Sequence, residues 1–234
     1  STPPHDTAPP TYPSPILAEE DGIYMISHDL IAPVRRIGML LEVIAETQLK
    51  HMDADGEALM QQATREVNKG IARMKAFMEL LRLEHRELTL EPVDLEMVLR
   101  SVMSTHPASA YGTIEGQWKP VQGDMLALKE VAVELLTNAV RFAQPDVPLV
   151  IAITGEIIDG AQIWRIEDNG QGFKPEHEAR AFVPFKQFHS PGTYPGLGVG
   201  LTISQRLVAR CGGSIRLHSQ PNQGTTAVVT LPLA

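Results

Sequence analysis

Residues 149–172, "LVIAITGEIIDGAQIWRIEDNGQG", decide the fold. "LVIAITGEII" and "AQIWRIEDNGQG" read as two adjacent strands, and the second runs into Asp168, Gly170 and Gly172. Hairpin-like strand neighbours belong to a mainly antiparallel or mixed sheet. The surrounding stretches supply more strands and the helices to cover them. "LTLEPVDLEMVLRSVM" (88–103) reads as a short strand, then a helix, and "DMLALKEVAVELLTNAVRFA" (124–143) as a helix. "LTISQRLVARCGG" (201–213) is a helix with a glycine stop. "SIRLHS" (214–219) and "TTAVVTLPL" (225–233) close the chain as strands. The fold class expected for residues 88–234 is an α+β sandwich.

The first third has a different texture. "STPPHDTAPPTYPSPI" (1–16) is rich in Pro, Ser and Thr, so residues 1–17 read as a linker. A chain that starts this way is expected to follow a domain upstream. Ile23, Ile26, Leu30, Val34, Ile37, Leu41 and Ile44 recur in steps of three and four, the seam of an amphipathic helix. "HMDADGE" (51–57) reads as a turn. Val67, Ile71, Met74, Met78 and Leu81 form a second seam. Residues 18–87 are therefore an expected antiparallel helical hairpin. Two helices bury little alone, and a second copy would complete a four-helix bundle. A homodimer follows as an expectation.

The totals exclude some functions. A net charge of -8 argues against nucleic acid as the main partner. Cys211 is the single cysteine, which fits a reducing, cytoplasmic setting. No apolar run is long enough to span a bilayer. No Cys/His metal cluster is spaced for ligation, and His106, His177 and His218 have no partner in spacing. Trp118, Trp164, Met74 and Met78 read as packing residues.

Three places carry chemistry. In "MISHDLIAPVRRI" (25–37), His28 is two steps from both Ile26 and Leu30. Two steps turn about 200°, so His28 points away from the seam. Asp29 beside it can orient an imidazole. Pro33 lacks an N–H and crowds the Asp29 carbonyl, an arrangement that bends a helix and frees an acceptor. "GLGVGL" (196–201) places Gly196, Gly198 and Gly200 ahead of a helix, where free N–H groups bind phosphate. Its spacing is neither the dinucleotide fingerprint nor a phosphate-binding loop ending in G-K-[ST]. In "ELLTNAVRFA" (134–143), Glu134 and Asn138 share one helix face and Arg141 follows a turn later. An amide oxygen suits Mg²⁺.

In chain order, a histidine box on a hairpin and then asparagine, glycine, phenylalanine and glycine boxes resemble the sensor histidine kinases of two-component systems over residues 20–234. The second half is also similar to the wider ATPase superfamily of gyrase, Hsp90 and MutL. The resemblance implies a phosphoacceptor at His28, oriented by Asp29, and Mg²⁺ bridging ATP phosphates at Asn138. Glu134 stands where many of these kinases have Asn. It is expected near the metal and the reacting phosphate, with Arg141 on the phosphate side. Asp168 would accept from the adenine amine in a pocket shaped by Gly170 and Gly172. "FVPFKQF" (182–188) resembles the phenylalanine box through Phe182 and Phe185, followed by Lys186. Gly196, Gly198, Gly200 and Leu201 would line the phosphates beneath a mobile lid. In "GTTAVVTLP" (224–232), Thr226 would support the adenine through water. The short lid and "YPGLGVGL" are similar to phytochrome-type kinases. The implied partners are a second copy, a response regulator receiver domain and an upstream sensor domain that is missing here.

Two departures keep alternatives open. Ala32 stands four residues after His28, where many relatives have Thr or Asn to position a water, so weak phosphatase activity of that type is expected. Glu134 matches the residue that activates water in gyrase-like ATPases, which leaves an ATPase driving conformational change as a rival. A docking module without nucleotide binding is the third reading. The intact Asn138, Asp168 and glycine set weigh against it.

Overall fold

The computed structural model describes residues 20–48, 51–186, 188 and 197–234; the side chains of residues 20–30 lie outside the description. The chain divides into two compact units, Ser1–His85 and Arg86–Ala234.

In the first unit, helix α1 (Glu20–Gln48) runs unbroken through Pro33. Helix α2 (Ala54–His85) packs along it. The approach is close: a Cβ built on Gly38 of α1 would lie 3.2 Å from Val67 Cγ1 of α2. The turn between them is shorter than 51–57. Asp53 Oδ1 accepts from Gly56 N–H at 2.8 Å, which caps α2 and draws Gly56 and Glu57 into its first turn. Met78, Leu80 and Leu83 are buried. On α1, by contrast, Leu40 is 62% exposed and Val43 53%.

The second unit is an α+β sandwich. Strand β1 (Glu91–Val93) leads into helix α3 (Leu95–Thr105), which Asp94 caps through Met97 N–H. Strands β2 (Gly112–Gly116) and β3 (Val121–Gly123) follow, then helix α4 (Met125–Arg141). Strands β4 (Ile151–Ile158) and β5 (Ala161–Asp168) form the hairpin expected from 149–172. Its turn uses Asp159 and Gly160 at φ 50° and 77°, the left-handed pair of a tight hairpin turn. A 3-10 segment (Pro175–Phe182), helix α5 (Gly200–Arg210), and strands β6 (Ser214–Gln220) and β7 (Gly224–Pro232) complete the unit.

The main sheet has the order β2-β4-β5-β7-β6. Only β2 and β4 are parallel; the other pairs are antiparallel. A small β1–β3 pair forms a second sheet, bridged to the end of the chain after β7 through Val121 and Leu233. Side chains alternate along each strand. Ile151, Ile153, Trp164, Ile166, Ala227, Val229 and Leu231 are buried, and α4 and α5 contact this sheet. The other face carries polar pairs such as Arg165–Glu156 at 2.7 Å. β2 and β3 went unread in the sequence because each is short and weakly patterned. His106 does have partners, contrary to its spacing. Its Nδ1 accepts from Ala108 N–H at 3.1 Å, so its Nε2–H faces Thr137 Oγ1 of α4 at 3.1 Å. Burial holds this imidazole below its usual range, and neutral.

Asp124 anchors the N-terminus of α4. Its carboxylate accepts from Ala127 N–H at 2.8 Å and Thr89 N–H at 2.9 Å. Burial opposes its ionisation, yet these donors and nearby Arg86 hold the carboxyl below its ordinary 3.8. A depressed carboxyl adds stability above its unfolded value, and that stability is lost as pH falls through the folded value. Asp124→Ala should cost about 1–2 kcal/mol at neutral pH by urea unfolding, and the difference from wild type should shrink as the pH is lowered below about 4.

Candidate active site

A cavity of about 420 Å³ opens between α4, the end of β5 and α5. That is a typical volume for a small-molecule site. One side is apolar, with Ile166, Phe142, Phe173, Ala181 and Phe188. The other side is polar, with Glu134, Asn138, Arg141 and Lys186.

Asp168 sits at the end of β5, opposite Thr225 of β7. Its Oδ1 accepts from Gly170 N–H at 2.8 Å and Thr225 N–H at 3.2 Å. Among the described residues, Oδ2 accepts no hydrogen bond and is left for the cavity. Burial pushes the carboxyl up from 3.8 to about 6, against those two donors. The loop after it is locked by backbone contact. Gly172 adopts φ +55°, and a Cβ there would overlap the Gln220 carbonyl. Gln144 Nε2 donates to the Asn169 and Gly170 carbonyls at 2.8 and 3.1 Å, tying the end of α4 to the same loop.

The polar side is a relay along α4. Asn138 Nδ2 donates to Glu134 Oε1 at 3.2 Å, and Arg141 Nη1 donates to Asn138 Oδ1 at 3.3 Å. Burial raises the Glu134 carboxyl, while Arg141 and Asn138 work against that rise. Glu134 also lies against Gly200, the first residue of α5: a Cβ on Gly200 would overlap its carboxylate. Gly198, with its φ of +70°, comes next to the backbone of Lys186, and Leu201 lines the cavity beside Gly200.

The structure thus brings Glu134, Asn138, Arg141, Asp168, Gly172, Lys186, Gly198, Gly200 and Leu201 to one cavity. Gly170 contributes its N–H rather than a wall. Two of the expected residues are placed apart from the cavity's described lining. Phe185 is not among the described lining residues; it takes φ +64° and donates its N–H to Gly198 O at 2.8 Å. The aromatic wall comes instead from Phe142, Phe173 and Phe188. Phe188 is the last phenylalanine of "FVPFKQF", and it stacks on His177 at 4.7 Å. Thr226 is also displaced. Strand alternation turns Thr225 and Ala227 toward the cavity and Thr226 to the opposite face, across from Glu167. Gly196 lies outside the described residues, as do the side chains of His28 and Asp29; the backbone of both is helical.

Residues 123–234 match the family described as histidine kinase-, DNA gyrase B-, and HSP90-like ATPase. Along 218 residues, 90% of this chain, the sequence is 25% identical to the phytochrome-like protein Cph1 of Synechocystis sp.. Over 151 residues, 63% of the chain, it is 32% identical to the sensor protein KdpD of Rathayibacter rathayi.

Residues 123–234 belong to that ATPase family, and the chain resembles the sensor histidine kinases.

It spans 28% of the length of Cph1 and 17% of KdpD. Full-length ShkA, solved in complex with AMPPNP, shares the fold over 92% of this chain and 46% of its own, with a TM-score of 0.62 at 23% identity. The mycobacterial sensor histidine kinase MprB aligns over 62% of this chain and 98% of its own, with a TM-score of 0.54 at 25% identity. Residues 123–234 are thus a histidine kinase-type ATPase domain, and no described helix is long and apolar enough to cross a membrane.

The raised carboxyl of Asp168 has two opposite consequences. Below about 6 it is neutral, so the folded state gains a proton that the unfolded chain holds only below 3.8. Stability from this group therefore falls as pH rises through that window. On the expectation that Asp168 accepts from the adenine amine, affinity for an adenine nucleotide would move the other way, since a neutral acid is a poorer acceptor. Titration calorimetry should show wild type weakening as pH drops below about 6, relative to a weaker Asp168→Asn variant that lacks this transition.

Proposed function

We propose that this chain transfers the γ-phosphoryl group of ATP to His28, and passes it on to an aspartate of a response regulator receiver domain. The observation that carries the nucleotide half is the Asp168 carboxylate. Two backbone N–H groups fix its direction and leave one oxygen for an amino group in an apolar cavity. The His28 half rests on the sequence box and on the family.

Phosphoryl transfer needs positioning and charge neutralisation more than covalent help. Asp168 and the aromatic wall would hold the base. Gly200 and Leu201 open α5 and line the cavity, and their N–H groups, which have no partner within the helix, would favour a phosphate there. Arg141 and Lys186 would balance phosphate charge. The donor set suits Mg²⁺, because Asn138 Oδ1 and the Glu134 carboxylate are oxygen ligands. Among the described residues no cluster of three His, Cys, Asp or Glu side chains forms a metal cage. Most ligands would then come from phosphate and water. Bound there, the ion would neutralise charge on the transferring phosphate. Asn138 would have to exchange its Arg141 partner for the ion.

At pH 7 an unperturbed imidazole is mostly neutral, so a His28 ring nitrogen has a lone pair for attack on the γ-phosphorus. The N–P bond forms as the bond to the ADP oxygen breaks. Asp29 would orient the ring and accept its proton. We further propose a homodimer, supported by the apolar residues that the hairpin leaves exposed, Ile37, Met39, Leu40 and Val43 among them. A four-helix bundle would cover them.

The rival is an ATPase that works by conformational change. It is favoured by one observation, the partly buried, raised carboxyl of Glu134 against the start of α5. Incubation with γ-labelled ATP and Mg²⁺ separates the two. The kinase reading predicts acid-labile, base-stable label on wild type and none on His28→Ala. Steady phosphate release with no label on either protein would establish the ATPase instead.

A further inference from the structure

Ser219 lies behind the cavity rather than in its wall. It is 4% exposed, and its hydroxyl has three neighbours. Phe173 N–H donates to Oγ at 2.9 Å. The Gly224 carbonyl lies 3.0 Å away and can only accept. The Thr225 hydroxyl lies 2.9 Å away and could do either. A serine hydroxyl has one proton and two lone pairs. Its proton goes to Gly224 O and one lone pair to Phe173 N–H. The remaining lone pair takes the proton of Thr225. Thr225 lines the cavity, and it then offers that space only lone pairs.

The backbone of Thr225 adds to this. Its N–H is already committed to Asp168 Oδ1 at 3.2 Å. This polar corner of the cavity therefore holds a carboxylate and a hydroxyl whose hydrogen is used elsewhere. Both accept, directly or through a water, and neither donates.

We propose that Ser219 is a positioning residue that fixes the Thr225 hydroxyl as an acceptor and so selects a base carrying an amino group over one carrying a carbonyl at the same place. The proposal rests on the nucleotide reading above. A ring carbonyl there would meet two acceptors and leave polar groups unpaired, the situation in which buried sites discriminate best. With Ser219 absent, the Thr225 hydroxyl can rotate and donate to such a carbonyl.

The test is the ratio of ATP to ITP affinity, measured by calorimetry with Mg²⁺ on the full chain. ITP replaces the adenine amine by a carbonyl and turns the neighbouring ring nitrogen from an acceptor into an N–H donor. Wild type should prefer ATP. Ser219→Ala should lower that preference about tenfold, largely by tightening ITP. Thr225→Val removes the hydroxyl without touching the Ser219 bonds to Phe173 and Gly224, and should lower the ratio too. In the Thr225→Val background, adding Ser219→Ala should change the ratio no further. A merely structural serine would weaken both nucleotides together and leave the ratio at its wild-type value, which overturns the proposal. So does a Thr225→Val variant with the wild-type ratio, which keeps the test decisive if Ser219→Ala does not fold. Wild type that binds neither nucleotide overturns the nucleotide reading itself, and this inference with it.

Discussion

The second unit depends on a place where three backbones meet with no room between them. The loop after β5, the β6–β7 turn and the segment after α4 are in direct contact. Gln171 N–H donates to Phe142 O at 2.8 Å, and Asn222 N–H donates to Gln171 O at 2.7 Å. A Cβ on Gly170 would lie 2.6 Å from that same Phe142 carbonyl. Main-chain groups bond each other directly there, and the Gln144 side chain adds bonds to the Asn169, Gly170 and Asn222 carbonyls. Such contacts have few alternatives, since a buried backbone donor must find a partner. The consequence is a carboxylate whose direction is set by main chain rather than by a flexible neighbour.

Fixing Asp168 this way also explains its charge. Two N–H donors favour the ionised form, but burial outweighs them and pushes the carboxyl to about 6. Near neutral pH the group is ionised yet poorly solvated. An amino group arriving in the cavity would donate to the Asp168 oxygen that the two N–H groups leave open. At the far end, Glu134, Asn138 and Arg141 already satisfy one another. One end of the site is short of a donor, and on the proposed function the other would exchange partners to accept a phosphate and its cation.

Much of this was legible in the sequence. The β4–β5 hairpin, helices α4 and α5, and the residues Glu134, Asn138 and Asp168 declare themselves by pattern and spacing. What was misread turns on geometry that spacing cannot carry. "GTTAVVTLP" offers two threonines one residue apart, and a one-residue difference in a strand is a change of face. Pairing of Asp168 with Thr225 settles which one faces inward. "FVPFKQF" offers three phenylalanines in an irregular segment with no period to choose between them. Ser219 was invisible for another reason. Its role comes from neighbours at 173, 224 and 225, gathered by the sheet and not by local sequence.

We propose that one fixed carboxylate and one polar relay form a single nucleotide site. A crystal structure of this chain with AMPPNP and Mg²⁺ tests it most directly. The expected result is the adenine amine on Asp168 Oδ2, the triphosphate beside Gly198 and Gly200, and Arg141 released from Asn138. An adenine seated away from Asp168, or a nucleotide bound with the Arg141–Asn138 contact intact and no ion at Asn138, would contradict it.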